Sequence, residues 1–425
     1  MTSSVDRAIK KACDFQENGN ILEAQAIYHK FLSQYPLSQK LMNAQKMLEL
    51  GLSRKDLKGT QPSEILIDKL INFYENGQYL RLVDYTKWVL SFYPKSPILY
   101  NLLGAANRGL SDFEEAIESF HQAKCLNFND AETHNNLAIS LKDAGRIAEA
   151  VISYEQAIKI KPDFFSAYVN LTYALRDIGE IDRAKENIKK ALLLKPNDEK
   201  ATFLQATLTG DTLPKSPDKY VETLFDNFAT TFDHKLTEIL AYNTPKTLKE
   251  EIYKNIKQKD FDKVLDLGCG TGLFGDEIRN SCKHLTGIDI SKNMLSKAKE
   301  KYIYDELYHF EIEKYLATSA LDFDLVCAAD VFIYMGDLHK TMHILKSRNN
   351  VDFSIAFTTE HSDIGEYVLQ SSGRYTHSRN YIENICSKLG YKFETHSIHP
   401  LRKEANTQIY AGLYILSSKQ KKIKK

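Results

Sequence analysis

The run Lys263-Val264-Leu265-Asp266-Leu267-Gly268-Cys269-Gly270-Thr271-Gly272 decides how this chain is read. An apolar stretch stops at an acid and gives way to three glycines at alternate positions. That is the pattern of a buried parallel strand ending in a tight turn that feeds a helix, here Leu273 to Arg279. Glycines at 268, 270 and 272 open backbone conformations closed to other residues and let a ligand approach the main chain. A second apolar run, Leu285-Thr286-Gly287-Ile288, ends in Asp289, 21 residues beyond Gly268. A carboxylate at that tip is placed to accept hydrogen bonds from both hydroxyls of a ribose. Together they predict a nucleoside-containing cofactor across the carboxyl ends of a parallel sheet.

Two cofactor classes compete for such a site. Gly270-Thr271-Gly272-Leu273-Phe274-Gly275 satisfies the dinucleotide pattern G-x-G-x-x-G, a weak signal when it stands alone. The wider string, with Asp266 ahead of Gly268, Gly270 and Gly272, is more specific. Its acid can organise the loop and attract an ammonium group, whereas it would repel a pyrophosphate.

In Val264 to Gly272, and again in Gly287-Ile288-Asp289-Ile290-Ser291-x-x-Met294-Leu295, the chain resembles the class I S-adenosylmethionine-dependent methyltransferases. The resemblance implies that the loop Gly268, Cys269, Gly270 and Gly272 cradles the methionyl part, with Asp289 and Ile290 at the ribose. Glu311 would accept from the adenine amine, with Glu313 as the alternative. Asp330, in Cys327-Ala328-Ala329-Asp330, would touch cofactor or substrate, or else serve as a structural turn acid.

Alternation continues from residue 261. Strands are expected at 263–267, 284–289, 307–311, 323–328 and 352–359, and helices at 273–280, 292–301, 313–318, 337–347 and 378–389. Final strands near 391–398 and 408–417 complete a mostly parallel sheet with an antiparallel edge. Ligands in such sheets lie beyond the strand carboxyl ends. The loop Leu369 to Ser378 there carries Arg374, Tyr375 and His377. A cation, a phenol and an imidazole make His377 and Tyr375 the candidate catalytic residues, with His377 as a base for the nucleophile. This loop and the repeats described next resemble a bacterial group of tetratricopeptide-containing methyltransferases. Its usual proline is Ser371 or Ser372 here.

The first half repeats itself. Ala116, Ala150 and Ala184 are 34 residues apart, as are Ala123, Ala157 and Ala191, and Leu103, Leu137 and Leu171. Gly77, Ser111, Gly145 and Gly179 keep the same step, and Pro162 and Pro196 close two units. Paired helices with small residues at their crossing form the tetratricopeptide pattern. It covers 97–130, 131–164 and 165–198, extends more loosely to 63–96, and has an isolated counterpart at 5–38. Its concave face predicts a protein or peptide partner, met by Tyr100, Asn101, Asn107, His134, Asn135, Lys142, Tyr168, Asn170 and Arg176. The recurring asparagines could hold an extended backbone.

The expected organisation is α plus α/β: a tetratricopeptide superhelix, then a Rossmann-like class I methyltransferase domain. Residues 1–62 form an N-terminal helical region, 63–209 the array and cap, 210–217 a Pro/Gly linker, 218–417 the catalytic domain and 418–425 a basic tail. After the linker, Phe225, Asp226, Phe228, Ala229, Phe232 and Asp233 resemble a family segment that closes over the cofactor, placing Phe228 against it. A simple core stripe would show the same spacing.

Composition narrows the rest. Lysine plus arginine equals aspartate plus glutamate at 56 each, so no dominant nucleic-acid or membrane field is expected. No apolar run has the length of a membrane span, and the N-terminus lacks a signal-peptide layout. Six cysteines without a C-x-x-C pair read as reduced thiols of a cytoplasmic protein. His396-x-x-His399 has no thiol or acid beside it, so no metal site is expected. The leading functional expectation is a methyltransferase acting on a protein or peptide recruited by the repeats. The alternatives are a small-molecule methyltransferase whose repeats assemble a complex, and a non-catalytic adaptor with a cofactor-binding domain.

Overall fold

The computed structural model describes residues 4–52, 57, 59–229, 232–234, 236, 242–404 and 407–419. The chain divides into two compact units, Met1–Leu194 and Lys195–Lys425.

The first unit is a run of helices: α1 (Ser4–Glu17), α2 (Ile21–Gln34), α3 (Gln39–Glu49), α4 (Glu64–Glu75), α5 (Tyr79–Leu90) and α6 (Pro97–Gly109), then α7 (Phe113–Leu126), α8 (Ala131–Asp143), α9 (Ile147–Ile160), α10 (Phe165–Asp177) and α11 (Ile181–Leu194). The 34-residue step has a backbone cause. Gly77, Gly145 and Gly179 turn between paired helices at φ 67°, 79° and 82°, and Ser111 adopts φ 62° at the equivalent place. Only the left-handed conformation reverses the chain in so few residues, and glycine reaches it without Cβ strain. Ala116, Ala123, Ala150, Ala157, Ala184 and Ala191 are fully buried, as crossings at alanine distance require.

The helix positions expected to meet a ligand are largely occupied from within. Asn107, His134, Asn135 and Tyr168 are buried. The Asn101 amide donates to the Thr133 hydroxyl at 2.7 Å, and that of Asn170 to the Asn135 oxygen at 3.2 Å. These amides tie one repeat to the next, which replaces the expectation that they hold an extended ligand. Ion pairs do the same at the same period: Arg108 with Asp143 at 2.9 Å and Lys142 with Asp177 at 3.8 Å. Such half-exposed pairs contribute little each, so burial between neighbours carries the array.

The second unit opens with α12 (Glu199–Thr209), α13 (Asp218–Phe228), α14 (Phe232–His234) and α15 (Thr244–Asn255). Alternation then sets in with β1 (Phe261–Leu267), α16 (Leu273–Ile278), β2 (Cys282–Asp289), α17 (Lys292–Glu300), β3 (Glu306–His309) and α18 (Ile312–Thr318). It continues with β4 (Leu325–Ala328), α19 (His339–Arg348), β5 (Phe353–Ser362), β6 (Tyr367–Leu369), β7 (Tyr375–Ser378), α20 (Arg379–Leu389), β8 (Lys392–Glu404) and β9 (Thr407–Ser418). The sheet order is β3-β2-β1-β4-β5-β7-β6, parallel from β3 to β5, with β9 antiparallel to both β5 and β8.

Side-chain alternation sorts the strands onto two cores. Leu265, Leu267, Ile288, Val326, Ile355 and Phe357 pack with α18, α19 and α20 through Leu316, Met342, Leu345 and Ile382. Val264, Leu285, Leu325, Cys327 and Ala356 pack with α15 and α16 through Leu248, Ile252, Phe274 and Ile278. Helices on both faces of a mostly parallel sheet make this a Rossmann-like domain.

Two boundaries differ from expectation. The units part ahead of α12, not at the Pro/Gly segment 210–217. The cause is apolar: Phe203 and Ala206 of α12 share a cluster with Leu213, Tyr220, Leu369 and Tyr375. The stretch 369–378, read as a loop, is most of a β-hairpin. β7 pairs antiparallel with β6 and parallel with Glu360–Ser362 of β5.

Strand geometry sends Tyr375 and His377 inward, where both are fully buried. The His377 Nε2–H donates to the Gly336 carbonyl at 3.0 Å, and the ring stacks on Tyr381 at 5.9 Å between centroids. Burial lowers the His377 pKa to about 4. The unfolded imidazole binds a proton near pH 6.5, so this residue's contribution is complete above that value and is lost as pH falls toward 4. His377→Gln should flatten the acid limb of thermal unfolding between pH 6.5 and 4 by roughly 1–3 kcal/mol. An unchanged acid limb would show that the ring titrates normally.

Candidate functional site

Three backbone features converge at the carboxyl ends of β1 and β2. Gly268, Gly270 and Gly272 take φ of 62°, 55° and 89°, left-handed values that explain the alternate glycines. Gly268 also has no room for a side chain, since a Cβ there would lie 2.5 Å from Val331 Cγ2. Beside Gly270 the space is open, with no atom within 4 Å of the corresponding point. The Gly270 N–H donates to Asp289 Oδ2 at 2.9 Å, and the Ser291 N–H to Asp289 Oδ1 at 2.8 Å. The Ile290 N–H also bonds this carboxylate, whose oxygens together keep an acceptor position for a hydroxyl donor.

Asp266 lies beneath the loop. Its side chain is 1% exposed, and Oδ2 accepts from the Tyr304 hydroxyl at 2.6 Å. Burial raises its pKa to about 7, with the neighbouring Asp289 adding to the rise and Tyr304 opposing it. Burial likewise raises Asp289 to about 6, against the pull of its backbone N–H partners. Asp266 therefore works through the protein interior and does not face a ligand's ammonium directly. The Cys269 thiol, also buried, is held protonated by desolvation.

Tyr304 escaped the sequence reading. Its ring fills the slot left by Gly272, Gly275 and Gly287, where a Cβ would lie 3.1, 2.2 and 2.8 Å from the ring or its hydroxyl. Gly275 is thus a packing glycine, explained by Tyr304 without reference to a ligand. No motif marks Tyr304, which follows α17 in a turn; Gly275 and Gly287 were the only trace.

The remaining positions sort by distance from these tips. Ile290 follows Asp289, and its carbonyl lies 2.8 Å from His309 Nε2. Glu311 caps α18 by accepting from the Lys314 N–H at 2.9 Å, and its other oxygen lies 3.4 Å from Lys215 Nζ. Glu313 points to α19 instead, bonding Lys340 at 2.6 Å and Thr341 at 3.1 Å, so it is no alternative to Glu311. Asp330 follows β4 at φ 56°. Tyr375 and His377 are enclosed in the hairpin, and a base at His377 gives way to its structural bond with Gly336.

The segment ahead of the sheet is anchored to both loops. Asp226 accepts from the Ser291 hydroxyl at 2.6 Å and from the Asn293 N–H at 3.3 Å. Asp233 bonds the Thr271 hydroxyl and pairs with Lys301 at 3.0 Å. Its aromatics form a row, Phe225 meeting Phe232 at 6.1 Å and Tyr334 at 5.3 Å. Phe228 remains 40% exposed, and α13 has no buried side chain, so this is not a core stripe.

The donor set fits a nucleoside-bearing sulfonium cofactor. Asp289 is placed to accept from a ribose hydroxyl, and the space beside Gly270 is open. Among the described residues no group of three metal-ligating side chains gathers, and no helix is long and apolar enough to cross a membrane.

A family model for a methyltransferase domain matches residues 265–348, and tetratricopeptide models match 131–164 and 165–198. An uncharacterized methyltransferase of Schizosaccharomyces pombe is 28% identical over 143 residues, 34% of this chain and 49% of that protein. A ubiquinone biosynthesis O-methyltransferase of Aromatoleum aromaticum is 24% identical over 171 residues, 35% of this chain and 71% of that protein. The magnesium protoporphyrin IX methyltransferase of Synechocystis PCC 6803, solved with bound SAM, aligns at 16% identity and a TM-score of 0.36, covering 48% of this chain and 99% of its own. The chain spans about half the length of the first of these relatives. Tetratricopeptide-repeat models and a methyltransferase-domain model thus match separate stretches of the one chain.

Proposed function

We propose that this chain transfers a methyl group from S-adenosylmethionine to an acceptor, and that its repeats dock a protein or peptide. The observation that carries the first part is the adjacent pair of strand tips, where the Gly270 N–H holds Asp289 Oδ2 at 2.9 Å and no atom lies within 4 Å of the point where a Gly270 side chain would begin. The cofactor supplies an electrophilic methyl group. In this reading Asp289 and Ile290 orient its ribose, Gly268 to Gly272 leave room for its methionyl part, and Glu311 and Phe228 flank the adenine end. Holding the acceptor in line with the methyl group supplies most of the rate. The aromatic segment anchored by Asp226 and Asp233 keeps water out. Free cysteines and a balanced charge support a cytoplasmic setting.

A small-molecule acceptor is the second reading, favoured by the name of the Aromatoleum relative. The two readings differ in what the repeats do. A fragment beginning at Lys195 keeps both cores of the sheet and the cluster around Phe203. It should fold and bind cofactor. Removing residues 1–194 should raise KM for a docked protein substrate at least tenfold, and leave a small-molecule KM unchanged. Equal kinetics on a protein substrate with and without the repeats would end the docking reading.

Cofactor binding has its own test. Asp289→Ala should weaken S-adenosylhomocysteine binding by roughly 1.5–3 kcal/mol, about tenfold to hundredfold in calorimetry. Nicotinamide dinucleotides should not bind, and unchanged affinity in the variant would remove the ribose assignment.

Affinity should also depend on pH. Hydroxyl donors favour the ionised Asp289, whose pKa in the free protein is raised to about 6. Binding should therefore be constant above about pH 7 and weaken, by at most about tenfold per pH unit for one group, as pH falls through 6. A flat profile from pH 8 to 5 would contradict it.

A further inference from the structure

A cavity of about 550 Å³ opens on the flank of the sheet. Its floor is the face of β1, β2 and β3 that also carries Leu265 and Ile288, nearer the start of the strands. There the apolar pattern of a covered parallel sheet gives way to Lys263, His284, Thr286 and Glu306. Lys263 lies near the start of β1 and Glu306 is the first residue of β3, so the charged end of the cavity is opposite the strand tips that hold Gly268 and Asp289. The cavity exists because α18 is short. Its seven residues extend about 10 Å, too little to cover strands of seven and eight residues.

Aromatic rings supply one wall. Tyr308 and Tyr315 lie 5.6 Å apart between centroids, and Phe310 and Tyr315 6.1 Å. Tyr308 and Phe310 are 37% and 44% exposed, so ring surface remains for a ligand. Charge supplies the other wall. Lys263 is the one lysine or arginine among the described lining residues, and it is paired with Asp322. Glu306 has the Thr286 hydroxyl at 3.4 Å and His284 Nε2 at 3.6 Å, but no lysine or arginine within ion-pair distance among the described residues. The result is a carboxylate without a fixed counter-ion beside open aromatic faces. Ring quadrupoles and the acid draw the same ligand, an organic cation, and neither favours an anion. A volume of several hundred cubic ångströms is that of a small-molecule site.

We propose that this cavity is a second ligand site, taking a small alkylammonium ion with Glu306 as its counter-charge and Tyr308, Phe310 and Tyr315 as its aromatic wall. The site is separate from the strand tips and independent of the methyl-transfer reading.

The test sets a cation against its neutral twin. Full-length protein, with S-adenosylhomocysteine in excess to fill the strand-tip site, is titrated with choline and with its uncharged tert-butyl isostere by ligand-observed NMR. The wild type should bind choline at least about tenfold more tightly than the isostere. Glu306→Gln keeps an acceptor for Thr286 and removes the charge, and should weaken choline about tenfold. Tyr308→Leu keeps an apolar side chain without the ring, and should weaken it about threefold to thirtyfold. Both variants should keep the wild-type melting temperature and S-adenosylhomocysteine affinity. No choline binding by the wild type, equal binding of the two probes, or unchanged choline affinity in Glu306→Gln would overturn the assignment. Choline bound only when S-adenosylhomocysteine is left out would place the cation at the strand tips and overturn it too. Should Tyr308→Leu fail to fold, Glu306→Gln decides alone. Failure of the wild type to bind S-adenosylhomocysteine would count against the methyltransferase reading, and the comparison of Glu306→Gln with wild type would still decide this one.

Discussion

Two carboxylates buried side by side at the tips of β1 and β2 constrain the rest of the second unit. Asp266 and Asp289 are 1% and 8% exposed; burial raises the proton affinity of both, and Asp289 raises that of Asp266 further. Burying like charges is costly, so the surroundings must offset it. The Tyr304 hydroxyl meets one acid, and the backbone N–H groups of Gly270, Ile290 and Ser291 meet the other. Tyr304 in turn needs glycine at 275 and 287, because any side chain there would collide with it, while Gly272 is held by its left-handed backbone and a tight approach of the same ring. A glycine-rich loop usually explained by ligand approach is thus set equally by the need to stabilise its acid. A cationic ligand would relieve the same repulsion, so the cost of the apo site favours a sulfonium over a pyrophosphate.

The sheet was legible because its signals are local. Apolar runs ending at Asp266 and Asp289, and the alternation after them, follow from strand geometry alone. The 34-residue repeat was legible for the same reason, since each turn needs a left-handed residue at a fixed step. Ser111 shows that the constraint is on conformation and not on glycine itself. The hairpin of β6 and β7 was not legible. Gly373, in the left-handed region at φ 81°, marks its turn, but Tyr367-Val368-Leu369 is too short to declare a strand.

That short hairpin is why the catalytic expectation failed where the cofactor expectation has geometric support. A histidine between polar residues looks exposed until a strand assigns it a face. β7 pairs with the last residues of β5, so its alternate side chains turn into the interior beside Gly336 and Tyr381. Tyr304 and Thr358 went unmarked for the complementary reason. Each acts on an acid distant in sequence, Asp266 across 38 residues and Asp330 across 28. Such pairings are a property of sheet order, which brings β4 beside β5.

The repeats show how one residue type can serve either reading. Asparagine at a helix position facing a groove can bind a partner or bind the next repeat, and sequence does not distinguish the two. Here Asn101 and Asn170 each spend a donor on a neighbouring helix, while Asn135 spends an oxygen. Tyr100, Lys142 and Arg176 remain partly exposed, as do Asn101 and Asn170. The two cations already have carboxylate partners, Asp177 lying 3.8 Å from Lys142 and 3.0 Å from Arg176. One acid shared by two partly exposed cations stabilises each only weakly, so burial between neighbouring repeats and not these pairs holds this corner.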